Sequence, residues 1–133
     1  MIVVDASVLV NALADDTADG DRARERLGRD PSLHAPDLVD LEVLSVLARA
    51  AARGDLDERR ATLARVDLRD LPLHRYPHLP FLERIWTLHL AVAAYTAVYV
   101  ALAETLGCPL LSADPRLTTT PGLPCPVEFL ATA

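Results

Sequence analysis

Three acidic residues stand where they could act together: Asp5, Glu42 and Asp114. Asp5 closes the run Met1-Ile2-Val3-Val4, and Asp114 follows Pro109-Leu110-Leu111-Ser112-Ala113. Short, continuous aliphatic runs read as buried parallel strands. The carboxyl edge of such a sheet is where ligands and reacting groups gather. Glu42 lies on a helical stretch instead, about a turn and a half past Asp37. Crowded carboxylates repel unless something positive neutralises them. A hard divalent cation does this with one or two carboxylates plus waters. Such a cation generates a nucleophile from water and stabilises charge on a phosphate oxygen. The competing reading makes Asp5 a helix cap, a role suited to Asp and Ser, and pairs Glu42 with an arginine.

The elements that must hold these acids alternate in type. Ala6 to Leu13 reads as a short helix, followed by a polar break at Asp15, Asp16, Asp19 and Gly20. Asp21 to Leu27 reads as a charged helix with Arg22, Arg24, Arg26 and Arg29 on a solvated face, and Ser32–Ala35 as a brief strand. Asp37 to Arg53 is the clearest helix, capped by Asp37 and ended by Gly54, with Leu38, Leu41, Leu44, Leu47 and Ala51 as its core stripe. Glu42 is off that stripe and shares its side with Val46, Arg49 and Arg53. Asp57 caps a helix over Glu58–Val66, and Leu71–Arg75 reads as an extended piece. His78 to His89 reads as a helix containing Leu82, Ile85 and Trp86. The apolar stretch Val92–Leu106, ended by Gly107, reads as a deeply buried helix whose core face carries Tyr95, Val98, Tyr99, Leu102 and Leu106. Val127–Leu130 completes the pattern as a last strand. The alternation predicts an α/β fold, a small, mostly parallel sheet with helices on both faces.

Composition narrows the classes. At 133 residues and 51% hydrophobic, the chain is expected to form a single domain over residues 1–133 with a real core. No apolar run is long enough to span a bilayer, and the N-terminus lacks the basic start of a signal peptide, so a cytoplasmic location is expected. Cys108 and Cys125 have no metal-type spacing and are expected to be free thiols. The net charge of −6 argues against broad nucleic-acid affinity while leaving room for a local site. All 13 basic residues are arginine, which grips phosphate with a planar fork and stacks on bases. His34, His74, His78 and His89 share no ligand spacing and are read as structural or surface groups; Tyr95, Tyr99 and Trp86 are read as core. Glycine-rich phosphate loops and Gly-x-Ser-x-Gly are absent. A receiver domain would want paired acids after the first strand and a lysine near the end, and the chain has neither.

Several stretches together resemble one family nearly end to end. They are Val3-Val4-Asp5-Ala6-Ser7-Val8-Leu9-Val10, His34-Ala35-Pro36 leading to Asp40-Leu41-Glu42-Val43-Leu44, and Arg75-Tyr76-Pro77-His78. Two more are Ala94-Tyr95-Thr96-Ala97-Val98-Tyr99-Val100-Ala101-Leu102-Ala103-Glu104 and Pro109-Leu110-Leu111-Ser112-Ala113-Asp114-Pro115-Arg116-Leu117. The chain resembles PIN domains of the VapC type, the toxin half of VapBC toxin–antitoxin pairs. That resemblance implies a three-layer PIN-like fold and an endoribonuclease that uses Mg²⁺ or Mn²⁺ to cut structured RNA, tRNA or rRNA. It also implies a homodimer and a VapB-type antitoxin as partner. It places catalytic and metal-binding roles on Asp5, Glu42 and Asp114, and supporting polar roles on Ser7 and Asn11. Arg49, Arg53 and Arg116 are candidate RNA contacts.

The family pattern is broken at one acid. Where the tyrosine matching Tyr95 is normally followed by aspartate, this chain has Thr96, and Ala91 replaces an asparagine often found shortly before it. A neutral hydroxyl is a much poorer ligand for a hard cation than a carboxylate. Glu104, two turns along, and Glu83, on the preceding helix, are no obvious substitutes. The readings that follow are a weak nuclease with a rearranged site, an impaired homologue that still binds antitoxin or RNA, or an engineered change at 96.

Overall fold

The structure, a computed structural model, describes residues 1–133. Its five parallel strands are β1 (Ile2–Val4), β2 (Leu33–Pro36), β3 (Leu73–Tyr76), β4 (Leu110–Ser112) and β5 (Val127–Phe129). They form one sheet in the order β3-β2-β1-β4-β5. The helices are α1 (Ala6–Ala14), α2 (Ala18–Leu27), α3 (Leu38–Ala52), α4 (Glu58–Asp70), α5 (Leu82–Leu88) and α6 (Ala94–Leu106). β1 is central and fully buried, which is why it is apolar at every position rather than at alternate ones.

The order of the strands places the site. From β1 to β3 the chain adds strands on one side; after β3 it crosses back to β4 on the other. Right-handed crossovers then put α1–α4 on one face and α5–α6 on the opposite face. The reversal leaves a crevice at the carboxyl ends of β1 and β4, the switch point where α/β sheets bind ligands. Asp5 directly follows β1, and Asp114 stands two residues past β4.

Several local expectations need correcting. The core face of α3 is Val39, Val43 and Leu47, while Leu41 is 66% exposed and Leu44 is exposed too. At about 100° per residue, steps of three drift about 60° each, so Leu38 and Leu47 fall on opposite sides of the helix. Steps of four from Val39 stay within about 80°. Leu47→Ala is therefore expected to cost about 2–5 kcal/mol in urea unfolding, and Leu41→Ala less than about 0.5 kcal/mol. Equal effects would contradict this face assignment. Asp37 has helical backbone angles and makes no side-chain cap bond, so it does not cap α3 as expected.

The helix expected over 78–89 is a 3-10 turn at Leu79–Phe81 followed by α5. Pro80 lacks an N–H and disfavours the α region for the residue before it, so the α-helix starts after it. Trp86 and Tyr95, expected in the core, are 68% and 69% exposed. Trp86 stacks on the surface against His89, one turn on, with ring centroids 4.3 Å apart. Only Tyr99 of the three is buried. The arginines of α2 are all paired with carboxylates, Arg26 with both Asp30 and Glu128. His34 is buried between the Tyr76 hydroxyl (2.7 Å) and the Ser32 hydroxyl (2.9 Å), a structural role.

Candidate active site

The crevice at the switch point is a cavity of about 190 Å³. Asp5, Glu42 and Asp114 all line it, together with Ser7 and Thr96. A larger cavity of about 460 Å³ lies between α1, α3 and the start of α4 and contains none of the three acids. The three acids line only the smaller one.

Asp5 caps α1 and at the same time lines the crevice. Its Oδ1 caps α1 by accepting from the amides of Ser7 (3.0 Å) and Val8 (3.3 Å), and it also accepts from the Ser7 hydroxyl at 2.5 Å. Ser7 Oγ in turn accepts from the Ala113 amide at 2.9 Å, tying the end of β1 to the end of β4. Burial pushes the Asp5 carboxyl above its usual range; hydrogen bonds from Ser112, Ser7 and Val8 pull it back without cancelling that rise.

Glu42 projects from the side of α3 next to its buried stripe. The Tyr99 hydroxyl donates to its Oε1 at 2.5 Å across the crevice. Burial raises the Glu42 carboxyl, the tyrosine hydroxyl opposes the rise, and the negative charge of Asp5 adds to it. Two residues earlier on α3, Asp40 receives a fork from Arg75 at 2.7 and 2.9 Å, and the same guanidinium donates to the Leu68 carbonyl. This clamp joins β3, α3 and α4 and fixes where α3 lies.

Asp114 is held differently. Arg116 forks onto it, with Nη2–Oδ2 at 2.7 Å and Nε–Oδ1 at 3.0 Å, and holds its carboxyl below the usual range. The Arg116 side chain is 88% exposed, so this pair is easily exchanged for another partner.

Of the other predicted residues, Asn11 does not line this cavity; it faces the larger one. Arg49 bonds the Ser45 hydroxyl and Arg53 pairs with Asp55, and neither lines the acidic cavity. They are seven and eleven residues beyond Glu42, about 10 and 16 Å along the helix axis. Ser112 and Tyr99, which no motif singles out, also bond to acids of the crevice. A buried hydroxyl ending an apolar strand, and a tyrosine whose polar tip must find a partner, were the available signals.

The donors facing the cavity are carboxylate and hydroxyl oxygens, which suit a hard cation such as Mg²⁺ or Mn²⁺. No three His, Cys, Asp or Glu side chains close into a cage, because Asp114 is turned to Arg116 and position 96 is a threonine. Asp5 and Glu42 remain as a pair near enough to repel, which matches an ion held by one or two carboxylates and its own waters.

The PIN domain family model matches residues 2–123. The chain belongs to the PIN-domain family. Within it, the chain is 42% identical to Ribonuclease VapC9 of Mycobacterium tuberculosis over 130 residues, covering 98% of each protein. It is also 42% identical to Ribonuclease VapC1 of the same species over 129 residues, covering 96% of each. Among solved structures, VapC20 of Mycobacterium tuberculosis, described as a sarcin-ricin loop cleaving toxin, superposes with a TM-score of 0.68 at 16% identity, covering 90% of this chain and 96% of that one. A chain of VapBC2 from Rickettsia felis, bound to a DNA fragment of its promoter, gives 0.64 at 12% identity, covering 97% and 98%. The five-stranded parallel sheet with helices on both faces is the PIN fold in its VapC form.

Proposed function

We propose that this VapC-type PIN domain is the toxin of a type II toxin–antitoxin pair, an endoribonuclease that hydrolyses a phosphodiester bond in structured RNA, tRNA or rRNA. The observation that carries this is the convergence of Asp5, Glu42 and Asp114 in one crevice of a chain 42% identical to VapC ribonucleases. Asp5, Glu42 and Asp114 would hold Mg²⁺ or Mn²⁺, with Asp114 also the carboxylate that Arg116 pairs. A bound divalent cation supplies Lewis-acid charge at the phosphate and a lowered pKa for water. Glu42 would act through a cation-bound water or help activate the attacking water, and Tyr99 keeps its carboxylate aimed into the crevice. Ser7 orients Asp5. Arg116 is placed to take a phosphate oxygen when it leaves Asp114.

A second reading has its own observation. Thr96 leaves one wall of the crevice without a carboxylate, and Arg116 already neutralises Asp114. An impaired PIN domain that binds antitoxin or RNA without cutting fits that arrangement. The two separate in a cleavage assay on end-labelled tRNA and rRNA with Mg²⁺ or Mn²⁺. The nuclease reading expects cleavage that EDTA abolishes; failure to cut by both this chain and Thr96→Asp would refute it.

Residues 1–133 act as one domain around a single contiguous core. The partner is a VapB-type antitoxin. The exposed apolar side chains Leu79, Leu82, Trp86 and Leu90 support a homodimer that covers them. Buried, unpaired Cys108 and Cys125 support a reducing, cytoplasmic setting; no helix is long and apolar enough to cross a membrane.

Tyr99→Phe tests the support of Glu42. Loss of the hydroxyl is expected to lower stability by about 1 kcal/mol. It also removes the bond that holds the Glu42 carboxyl down. The charged form is then reached at higher pH, so the acidic limb of the pH–rate profile moves up. An unmoved limb would show that Glu42 does not control it.

A further inference from the structure

We propose that Tyr95 is the base-stacking platform of this site. An unstacked base beside the scissile bond lies on its ring while Arg116 holds the neighbouring phosphate. The inference rests on the RNA-cleaving reading and adds how the substrate is held and which form of RNA is accepted.

Tyr95 and Tyr99 are one turn apart on α6, and both line the crevice. Tyr99 is 3% exposed and spends its hydroxyl on Glu42; Tyr95 is 69% exposed and has no such partner. A large ring left in water at the rim of a carboxylate cavity is a contact surface in want of a flat apolar partner. Arg116 is the one cation lining the same cavity. With 19 acidic against 13 basic residues, the chain cannot hold RNA by a general attraction to the backbone. Affinity has to come from local contacts, and stacking is the contact that works without net charge. Bases inside a duplex present no free face, whereas loops and ends can splay a base onto an aromatic ring. The site therefore selects single-stranded positions.

The test mixes the full chain, in magnesium buffer, with an RNA hairpin carrying 2-aminopurine in its loop, and with a loopless duplex of the same stem. Binding to the hairpin is expected to change the 2-aminopurine fluorescence in the unaltered chain and in Tyr95→Phe. Tyr95→Ala is expected to lose that signal and to weaken hairpin binding by about 5- to 150-fold, the range for one base–aromatic stack. Its melting temperature should be unchanged, since the ring is exposed. The duplex should bind weakly and ignore the substitution. Hairpin affinity of Tyr95→Ala within twofold of the unaltered chain, or an unchanged fluorescence signal, overturns the stacking role. So does a Tyr95→Ala effect confined to self-association. If the chain cuts RNA yet ignores Tyr95→Ala, this inference alone fails; if it neither binds nor cuts RNA, the RNA-cleaving reading fails with it.

Discussion

Thr96→Asp is expected to raise cation-dependent RNA cleavage by at least about 10–100-fold, the scale on which groups supporting a metal site affect affinity or activity. Thr96 is the third residue of α6 and lines the crevice with Asp5 and Glu42. The first turn of α6 contains no acid, so a carboxylate there gains about 0.3–1 kcal/mol from the helix N-terminus. Repulsion works against it. Two like charges about 6 Å apart at an effective dielectric of about 20 repel by about 3 kcal/mol. Repulsion wins in the absence of a cation, so in EDTA Thr96→Asp should melt below the unaltered chain. With Mg²⁺ or Mn²⁺ three carboxylates share the ion, and the order of melting should reverse. Unchanged cleavage together with an unchanged order of melting would show that position 96 has no part in the site.

Asp5→Asn is expected to lower cleavage by about 100-fold or more, the scale of losing one preorganised electrostatic group, while making the protein more stable. Asparagine caps a helix about as well as aspartate, so the bonds from Ser7 and Val8 survive. What goes is a partly buried charge. Burial holds the Asp5 carboxyl above its ordinary value of 3.8, so the native state keeps this proton to higher pH than the unfolded chain does. Stability from this group is present at low pH and is lost as pH rises from 3.8 through the raised native value. At neutral pH the whole penalty applies, and asparagine removes it. The melting temperature at pH 7 should rise by about 4 °C for each kcal/mol relieved, and the gain should vanish below pH 3.8. A destabilised Asp5→Asn at pH 7 would mean that the carboxylate stabilises the apo fold. Activity and stability then pull in opposite directions at this residue, as expected where a site concentrates charge.

Much of this was legible in the sequence, and the reasons differ by element. β1 and β4 announced themselves because strands covered on both faces must be apolar throughout, and the acids after them followed from the sheet's polarity. Glu42 stood out as a charge off the apolar stripe expected of a long helix. The α3 stripe differs from expectation because this Leu- and Val-rich helix offers two apolar sets, and only packing on the sheet selects Val39, Val43 and Leu47. Tyr95 and Tyr99 have the same spacing and chemistry; which of them is buried depends on where α6 emerges from the sheet. The Arg116–Asp114 fork and the Tyr99–Glu42 bond join residues by side-chain rotamer, which sequence patterns do not encode.

The most direct test of the carboxylate crevice as a metal-dependent site is a calorimetric Mn²⁺ titration of the unaltered chain beside Asp5→Asn. The account predicts a binding heat in the unaltered chain that Asp5→Asn abolishes or weakens by about 10-fold or more. Equal binding by both proteins, or none by the unaltered chain and Thr96→Asp alike, would contradict it.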